Sequence, residues 1–284
     1  MIPTFVLVHG SGGSARSWSA VQQGLALRGH RGLAVDLPGR GAGFSRAYYE
    51  QDLAALAAEP SELAGVTADD VIGHVVDTVR QVRAHGPVVL VGHSFGGLVI
   101  TAVGNAVPEL IERIVYVSAQ CPVNSSAAEY LTRPEWADTE LFAAVAPVLV
   151  GNPAELGCIR VNWLGADRAR AGALRRAIGA ELTDEQFRLV ISTSQPDEYF
   201  WQSDPAWDRR ADRDTWGRIP RTFVRLADDR ALPPSAQDLY IAETDALTPD
   251  NPFEVHSIKG SHSGFLRYPD ELVDILAGMG STTR

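Results

Sequence analysis

The chain has 284 residues, of which 45% are hydrophobic and 21% charged, and its formal net charge is −10. This composition is ordinary for a globular protein, and the length allows one domain with an insertion. An acidic chain without a basic block argues against nucleic acid and anionic membranes as partners, and no apolar run approaches the roughly 20 residues of a membrane helix. The N-terminus lacks the basic segment of a secretory signal, so we expect a cytoplasmic protein.

Short apolar runs alternate along the chain with longer amphipathic stretches. Thr67 is a good helix N-cap, followed by Asp69 and Asp70 in the first turn. The alternation predicts an α/β fold, a doubly wound and mostly parallel sheet with helices on both faces. The candidate strands are Phe5–Val8, Gly32–Val35, Val88–Val91, Ile114–Val117, Thr222–Leu226 and Glu254–Ile258, and the candidate helices are Ser17–Arg28, Thr67–Ala84, Phe95–Asn105 and Pro269–Met279.

One long region interrupts this alternation. Residues 122–216 are rich in Ala, Glu, Arg and Trp and look mainly helical. We interpret them as a cap inserted in a core formed by residues 1–121 and 217–284, although a long crossover with extra helices is an alternative. A cap at the carboxyl ends of the strands would shape a ligand pocket, because ligands of open α/β sheets bind there.

The sequence Gly92-His93-Ser94-Phe95-Gly96 follows a candidate strand and precedes a candidate helix. A G-x-S-x-G pattern in this context predicts a sharp strand-to-helix turn that exposes a nucleophilic serine, Ser94. The backbone N–H of Phe95, at the start of the helix, would then face a developing oxyanion. The alternative is a serine that only caps the helix.

A serine nucleophile needs a base and an acid that orients the base. His262 lies in a loop between the last candidate strand and the last helix, at the same sheet edge as Ser94, and is the predicted base. The acid should follow another strand, and Asp228 and Asp229 both do so. We favour Asp229, with Asp228 as the alternative. The His93 side chain is expected to point away from the reacting face.

The loop after the first strand, His9-Gly10-Ser11-Gly12-Gly13, should supply a second oxyanion donor, which we assign to the Ser11 N–H. It lacks the residues of a phosphate-binding loop. Cys121 and Cys158 are interpreted as small buried hydrophobes, and whether they pair stays open. No metal-ligand spacing is present.

Five ordered stretches, "FVLVHGSGGSARSW", "VDLPGRG", "LVGHSFGG", "IPRTFVRLADDRALPPSAQ" and "GSHSGFLRYPDEL", resemble the α/β-hydrolase superfamily. More narrowly, they are similar to the branch of plant methylesterases, hydroxynitrile lyases and bacterial pyrethroid-hydrolase-type carboxylesterases. The resemblance implies an α/β-hydrolase fold, a Ser94–Asp229–His262 triad, oxyanion donors at Ser11 and Phe95, and no cofactor or metal. It is weakest in the cap.

These features predict a carboxylesterase that cleaves a small or medium hydrophobic ester through an acyl-enzyme. Acyl transfer, cyclisation or lactone chemistry in a specialised-metabolite pathway would use the same triad and is the alternative. Hydroxynitrile lyases of this branch have a lysine after the catalytic histidine, where this chain has Ser263, so that reaction is disfavoured. A homodimer is compatible with the sequence. The candidate substrate-binding residues are Gly12, Trp136, Tyr199 and Trp201.

Overall fold

The computed structural model describes residues 2–41, 43–201 and 204–280. Its centre is a sheet of six parallel strands, which confirms the predicted α/β class. All six candidate strands are present. Their bounds are β1 Thr4–Val8, β2 Arg31–Val35, β3 Val88–Ser94, β4 Arg113–Ala119, β7 Arg221–Leu226 and β8 Glu254–Ile258. Their order in the sheet is β2-β1-β3-β4-β7-β8.

The strand order determines where a ligand site can form. From β1 the chain crosses to β2 on one side and later returns to β3 on the other side of β1. Where the connections after two neighbouring strands leave in opposite directions, as after β1 and β3, a crevice opens between the carboxyl ends of those two strands. The end of β1 leads into the glycine loop after His9, and the end of β3 is Ser94.

Helices cover both faces of the sheet. Their bounds are α1 Ser19–Leu27, α2 Arg46–Glu50, α3 Leu53–Ala58, α4 Ala68–Arg83, α5 Gly96–Ala106, α6 Ala127–Tyr130, α7 Leu141–Val145, α8 Pro153–Leu156, α9 Arg168–Ile178, α10 Asp184–Thr193, α11 Pro234–Leu247 and α12 Asp270–Gly280. Val6 and Val8 of β1 pack into a core with α4, α5 and α11, whereas Phe5 and Leu7 pack into a second core with α1 and α12. This division follows from the alternation of side chains along a strand.

Sequence signals at helix ends predicted the start of α4 but not that of α11. The Asp70 N–H donates to Thr67 Oγ1 at 3.1 Å and the Thr67 N–H to Asp70 Oδ2 at 2.9 Å, a reciprocal capping box. Helix α11 is not among the candidate helices, although it begins at Pro234, a favourable first helical residue after Pro233.

The region between β4 and β7 contains helices α6 to α10 and a two-residue antiparallel ladder, β5 Ile159–Arg160 with β6 Asp197–Glu198. Its apolar core also takes in Ala47, Tyr48 and Leu56 from the segment after β2. The cap boundaries at residues 122 and 216 therefore stay a prediction, and the packing indicates that a second stretch belongs with them. Within the described residues, no helix is long and apolar enough to cross a membrane.

Candidate active site

Ser94 ends β3 in a backbone conformation that is rare for a residue with a side chain. Its φ is +53°, in the left-handed region, and the helix-region residue Phe95 and then α5 follow it directly. The side chain is half-buried. This is the strained strand-to-helix turn that the G-x-S-x-G pattern predicted, and it lifts Ser94 above the sheet edge.

The glycines around Ser94 are needed for close packing. A Cβ on Gly96 would lie 2.8 Å from the carbonyl oxygens of Val8 and His9, and one on Gly92 would lie 2.8 Å from the Gly96 carbonyl oxygen. A Cβ on Gly10 would lie 2.8 Å from Ser94 Cβ. The elbow and the loop after β1 can therefore touch only where side chains are absent.

His262 and Asp229 form a buried pair at the same edge. His262 Nδ1 lies 2.6 Å from Asp229 Oδ2, and both side chains are at least nine-tenths buried. Asp229 Oδ1 also accepts the N–H groups of Ala231 at 2.7 Å and Leu232 at 2.9 Å. A carboxylate oxygen accepts from a ring N–H, so this hydrogen bond favours the His262 tautomer that has its proton on Nδ1 and an Nε2 able to accept one.

Ser118, which was not among the predicted site residues, binds the same oxygen of this carboxylate as His262. Its buried hydroxyl donates to Asp229 Oδ2 at 2.6 Å. The strand register shifts beside it, because Ser94 pairs with Ala119 after His93 pairs with Val117, and Ser118 has a φ of +38°. This bulge turns the hydroxyl toward Asp229. A serine at the end of an otherwise apolar strand was the available signal.

The His93 side chain, which we expected to point away from the reacting face, contacts His262. It is buried, its Nε2 donates to the His262 carbonyl oxygen at 2.9 Å, and the two rings lie 4.5 Å apart. Burial holds the pKa of His93 well below its usual value, and the neighbouring His262 adds to this. A neutral His93 therefore places the backbone of the predicted base beside the elbow.

The loop after β1 is fixed by its own first residue. His9 Nδ1 donates to the Gly10 carbonyl at 2.9 Å, and its Nε2 accepts the Leu37 N–H at 3.4 Å. Burial, helped by the charge of Arg40, lowers the pKa of His9 to about 3, so it stays neutral in this arrangement. The Gly13 N–H bonds to the Gly10 carbonyl at 3.1 Å and closes a turn with the exposed Ser11 at its tip.

The predicted substrate-binding residues lie in different places. Tyr199 and Trp201 are buried against the Phe95 ring, with ring centroids 5.7 Å and 5.9 Å from it. Gly12 lies in the loop turn and faces Trp163 of the cap, whose indole carbon would be 3.3 Å from an added Cβ. Trp136 is buried in a short turn that packs on α11. None of these contacts tests substrate binding, so the role stays a prediction.

Two further expectations concern cysteines and metals. Cys121 and Cys158 are both buried free thiols, and burial raises the pKa of Cys121 to about 12 and that of Cys158 to about 11. Among residues 2–41, 43–201 and 204–280, no group of three His, Cys, Asp or Glu side chains is arranged to hold a metal ion.

Comparison with known proteins gives a consistent result. Residues 5–275 match the model of the alpha/beta hydrolase family. Methylesterase 3 of Arabidopsis thaliana is 26% identical over 95% of this chain and 93% of its own, and polyneuridine aldehyde esterase of Rauvolfia serpentina is 24% identical over 96% and 93%. The crystal structure of a pyrethroid hydrolase from Sphingobium faniae JZ-2 superposes with a TM-score of 0.71, at 19% identity, over 100% of this chain and 99% of that one.

Proposed function

Because the chain belongs to the α/β hydrolase family, we propose that it is a carboxylesterase-type serine hydrolase acting through Ser94, His262 and Asp229. The proposal rests mainly on the strained turn at Ser94, the end of β3, and on the buried Asp229–His262 pair, whose members follow the parallel strands β7 and β8 of the same sheet. The relatives named as esterases support the same class of reaction. A small or medium hydrophobic ester is the substrate class we expect.

In the acylation step, Ser94 Oγ attacks the ester carbonyl carbon and its proton passes to His262 Nε2. Asp229 accepts the Nδ1–H of the imidazolium that forms and stabilises its charge. The carbonyl oxygen becomes an oxyanion, for which the backbone N–H groups of Ser11 and Phe95 are the proposed donors. The intermediate collapses when His262 returns the proton to the leaving alcohol, which leaves an acyl group on Ser94.

In the deacylation step, His262 takes a proton from water, and the resulting hydroxide attacks the acyl carbon. The same donors stabilise the second oxyanion, and the proton returns to Ser94 Oγ as the carboxylic acid leaves. If an alcohol or amine replaces water as the acceptor, the same steps perform acyl transfer. The buried aromatic residues beside Phe95 are compatible with an apolar acyl or alcohol group.

The experiment that tests the proposal traps the intermediate. Purified protein is mixed with 4-nitrophenyl esters of increasing acyl length, quenched in acid within one turnover and digested for mass spectrometry. We expect to find the acyl group on the peptide that contains Ser94. We also expect turnover to be fastest for esters within one range of acyl lengths. Turnover of these esters with the acyl group on another residue would refute the Ser94 mechanism.

A further inference from the structure

The loop that carries Ser11 is bound by the predicted cap through both backbone groups of Gly12. The Gly12 N–H donates to Glu198 Oε2 at 2.6 Å, and the Gly12 carbonyl accepts the Gln195 N–H at 2.7 Å. On the other side of Ser11, Gly10 packs against Ser94. Gly12 itself has a φ of +65°, a conformation that a glycine adopts without strain.

Glu198 is a buried carboxylate with a full set of partners. Its Oε1 accepts from Arg40 Nη2 and from the Tyr199 N–H at 2.8 Å, and its Oε2 accepts from Gly12. The Arg40 side chain is only 1% exposed and the Glu198 side chain 8%. Arg40 also donates to the Asp197 carbonyl and lies 4.8 Å from the centre of the Tyr199 ring.

Burying an ion pair is costly unless the geometry is well satisfied, so this pair is weak evidence for a purely stabilising role. Its position suggests another use. A carboxylate can hold the Gly12 N–H more firmly than a neutral acceptor, since hydrogen bonds to charged groups are stronger. An unpaired carboxylate here would oppose the negative charge that develops beside Ser11, and the Arg40 guanidinium compensates for it.

We propose that Glu198, neutralised by Arg40, is a positioning residue that orients the Ser11 N–H for the oxyanion. The inference rests on the proposed function, because it assumes that the loop binds an oxyanion formed on Ser94. Glu198 acts through Gly12 and does not touch the substrate. Because Glu198 belongs to the cap, it also makes the oxyanion geometry depend on how the cap is seated.

The test compares two isosteric variants of neighbouring cap carboxylates. Glu198→Gln keeps the side-chain shape but turns an amide N–H₂ toward either Gly12 or Arg40. Asp197→Asn is the control: Asp197 forms a two-point pair with the buried Arg160, at 2.6 Å and 2.8 Å. Within the part of the chain that the structure describes, this pair has no hydrogen bond or ion pair to the glycine loop. Both variants weaken one buried ion pair of the same short strand.

We expect Glu198→Gln to lower kcat about tenfold with KM changed less than about twofold, since small displacements of catalytic groups reduce turnover without changing ground-state binding. The affinity for a boronic acid, which mimics the tetrahedral intermediate, should fall by a similar factor. Asp197→Asn should change kcat less than about twofold. Rates are expressed per serine that reacts with a fluorophosphonate, so that misfolded protein is not counted.

A kcat for Glu198→Gln within twofold of wild type, or equal losses in the two variants, would overturn the inference. If Glu198→Gln fails to fold, Arg40→Lys replaces it, and it should lower kcat and boronic acid affinity together. A failure of the proposed function would give a different result. Either the wild type would not turn over esters, or Ser94→Ala would turn them over as fast as the wild type.

Discussion

At the scale of single residues, the two adjacent aspartates after β7 have different surroundings. Asp228 is exposed, whereas Asp229 is 2% exposed and accepts from Ser118, Ala231 and Leu232 as well as from His262. The Asp228 N–H instead bonds to the Gly260 carbonyl, which ties β7 to the loop of His262. The sequence favoured Asp229 but could not show the contacts that distinguish the two.

We therefore predict unequal effects of two neutral substitutions. Asp229→Asn would present an amide to His262 and favour the wrong tautomer, so kcat should fall by about 10⁴-fold, as in other serine triads. Asp228→Asn should change kcat less than about twofold. Steady-state turnover of one 4-nitrophenyl ester measures both. Similar losses in the two variants would contradict the assignment of Asp229.

A second prediction at this scale concerns pH and His9. The pKa of His9 is about 3 in the folded protein against an ordinary 6.5, mainly because it is buried. Between these values the unfolded chain binds a proton that the folded protein does not, so the free energy of unfolding falls as pH falls from 6.5 toward 3. Well above pH 6.5 neither the folded nor the unfolded chain binds this proton, so His9 no longer lowers the free energy of unfolding.

Urea unfolding between pH 5 and 6 tests this, because most carboxylates remain ionised there. His9→Gln should reduce the slope of the unfolding free energy by about 1 kcal/mol per pH unit. His74→Gln is the control, as His74 lies on the exposed face of α4. An unchanged slope in His9→Gln would show that His9 titrates normally.

At the scale of elements, the approach of α5 to β4 sets the position of the elbow. A Cβ on Gly97 would lie 2.1 Å from the Gln120 carbonyl oxygen, just after β4, whereas one on Gly73 in α4 would meet nothing within 4 Å. Both glycines are inside helices. The space available therefore predicts opposite effects of the same substitution.

Gly73→Ala should stabilise the protein by up to about 1 kcal/mol, because alanine is the better helix former. Gly97→Ala should destabilise it by about 2 kcal/mol or more, since backbone must move to relieve the clash. Thermal unfolding compares both with wild type. A Gly97→Ala protein as stable as wild type would mean that α5 moves away from β4 at little cost.

Also at the scale of elements, sequence patterns predicted the features that have local signals but not those that depend on long-range contacts. The six strands and helix α4 were identifiable because their apolar runs and caps are local signals. Ser118, Arg40 and Glu198 were missed because their importance depends on partners far away in the chain. Glu198 and Gly12 are 186 positions apart, and Ser118 and Asp229 are 111 apart.

At the scale of the whole molecule, the region between β4 and β7, which we predict to be a cap, contacts both loops of the proposed machinery. It holds Gly12 through Glu198 and Gln195, and it holds the loop of His262 through further bonds, among them two from backbone N–H groups. The Ser263 N–H donates to the Ile178 carbonyl at 2.8 Å, and the Ser261 N–H to Glu181 Oε1 at 3.0 Å. The sequence predicted a cap over the sheet but expected it only to shape a pocket.

The family and the fold class predicted from the five motifs are confirmed by the family match and the parallel sheet. The triad roles, the substrate-binding residues, the cap boundaries, the cytoplasmic location and the homodimer stay predictions. The resemblance is weakest in the predicted cap, whose apolar core draws on two separate segments.

The central claim is that Ser94 performs the chemistry, and the most direct measurement is the ester turnover of Ser94→Ala beside wild type. Removal of the nucleophile should lower kcat by about 10⁴-fold or more, leaving only what binding and the oxyanion donors provide. The variant should unfold at a temperature close to that of wild type, so the loss is not one of folding. Turnover by Ser94→Ala within about tenfold of wild type would contradict the account.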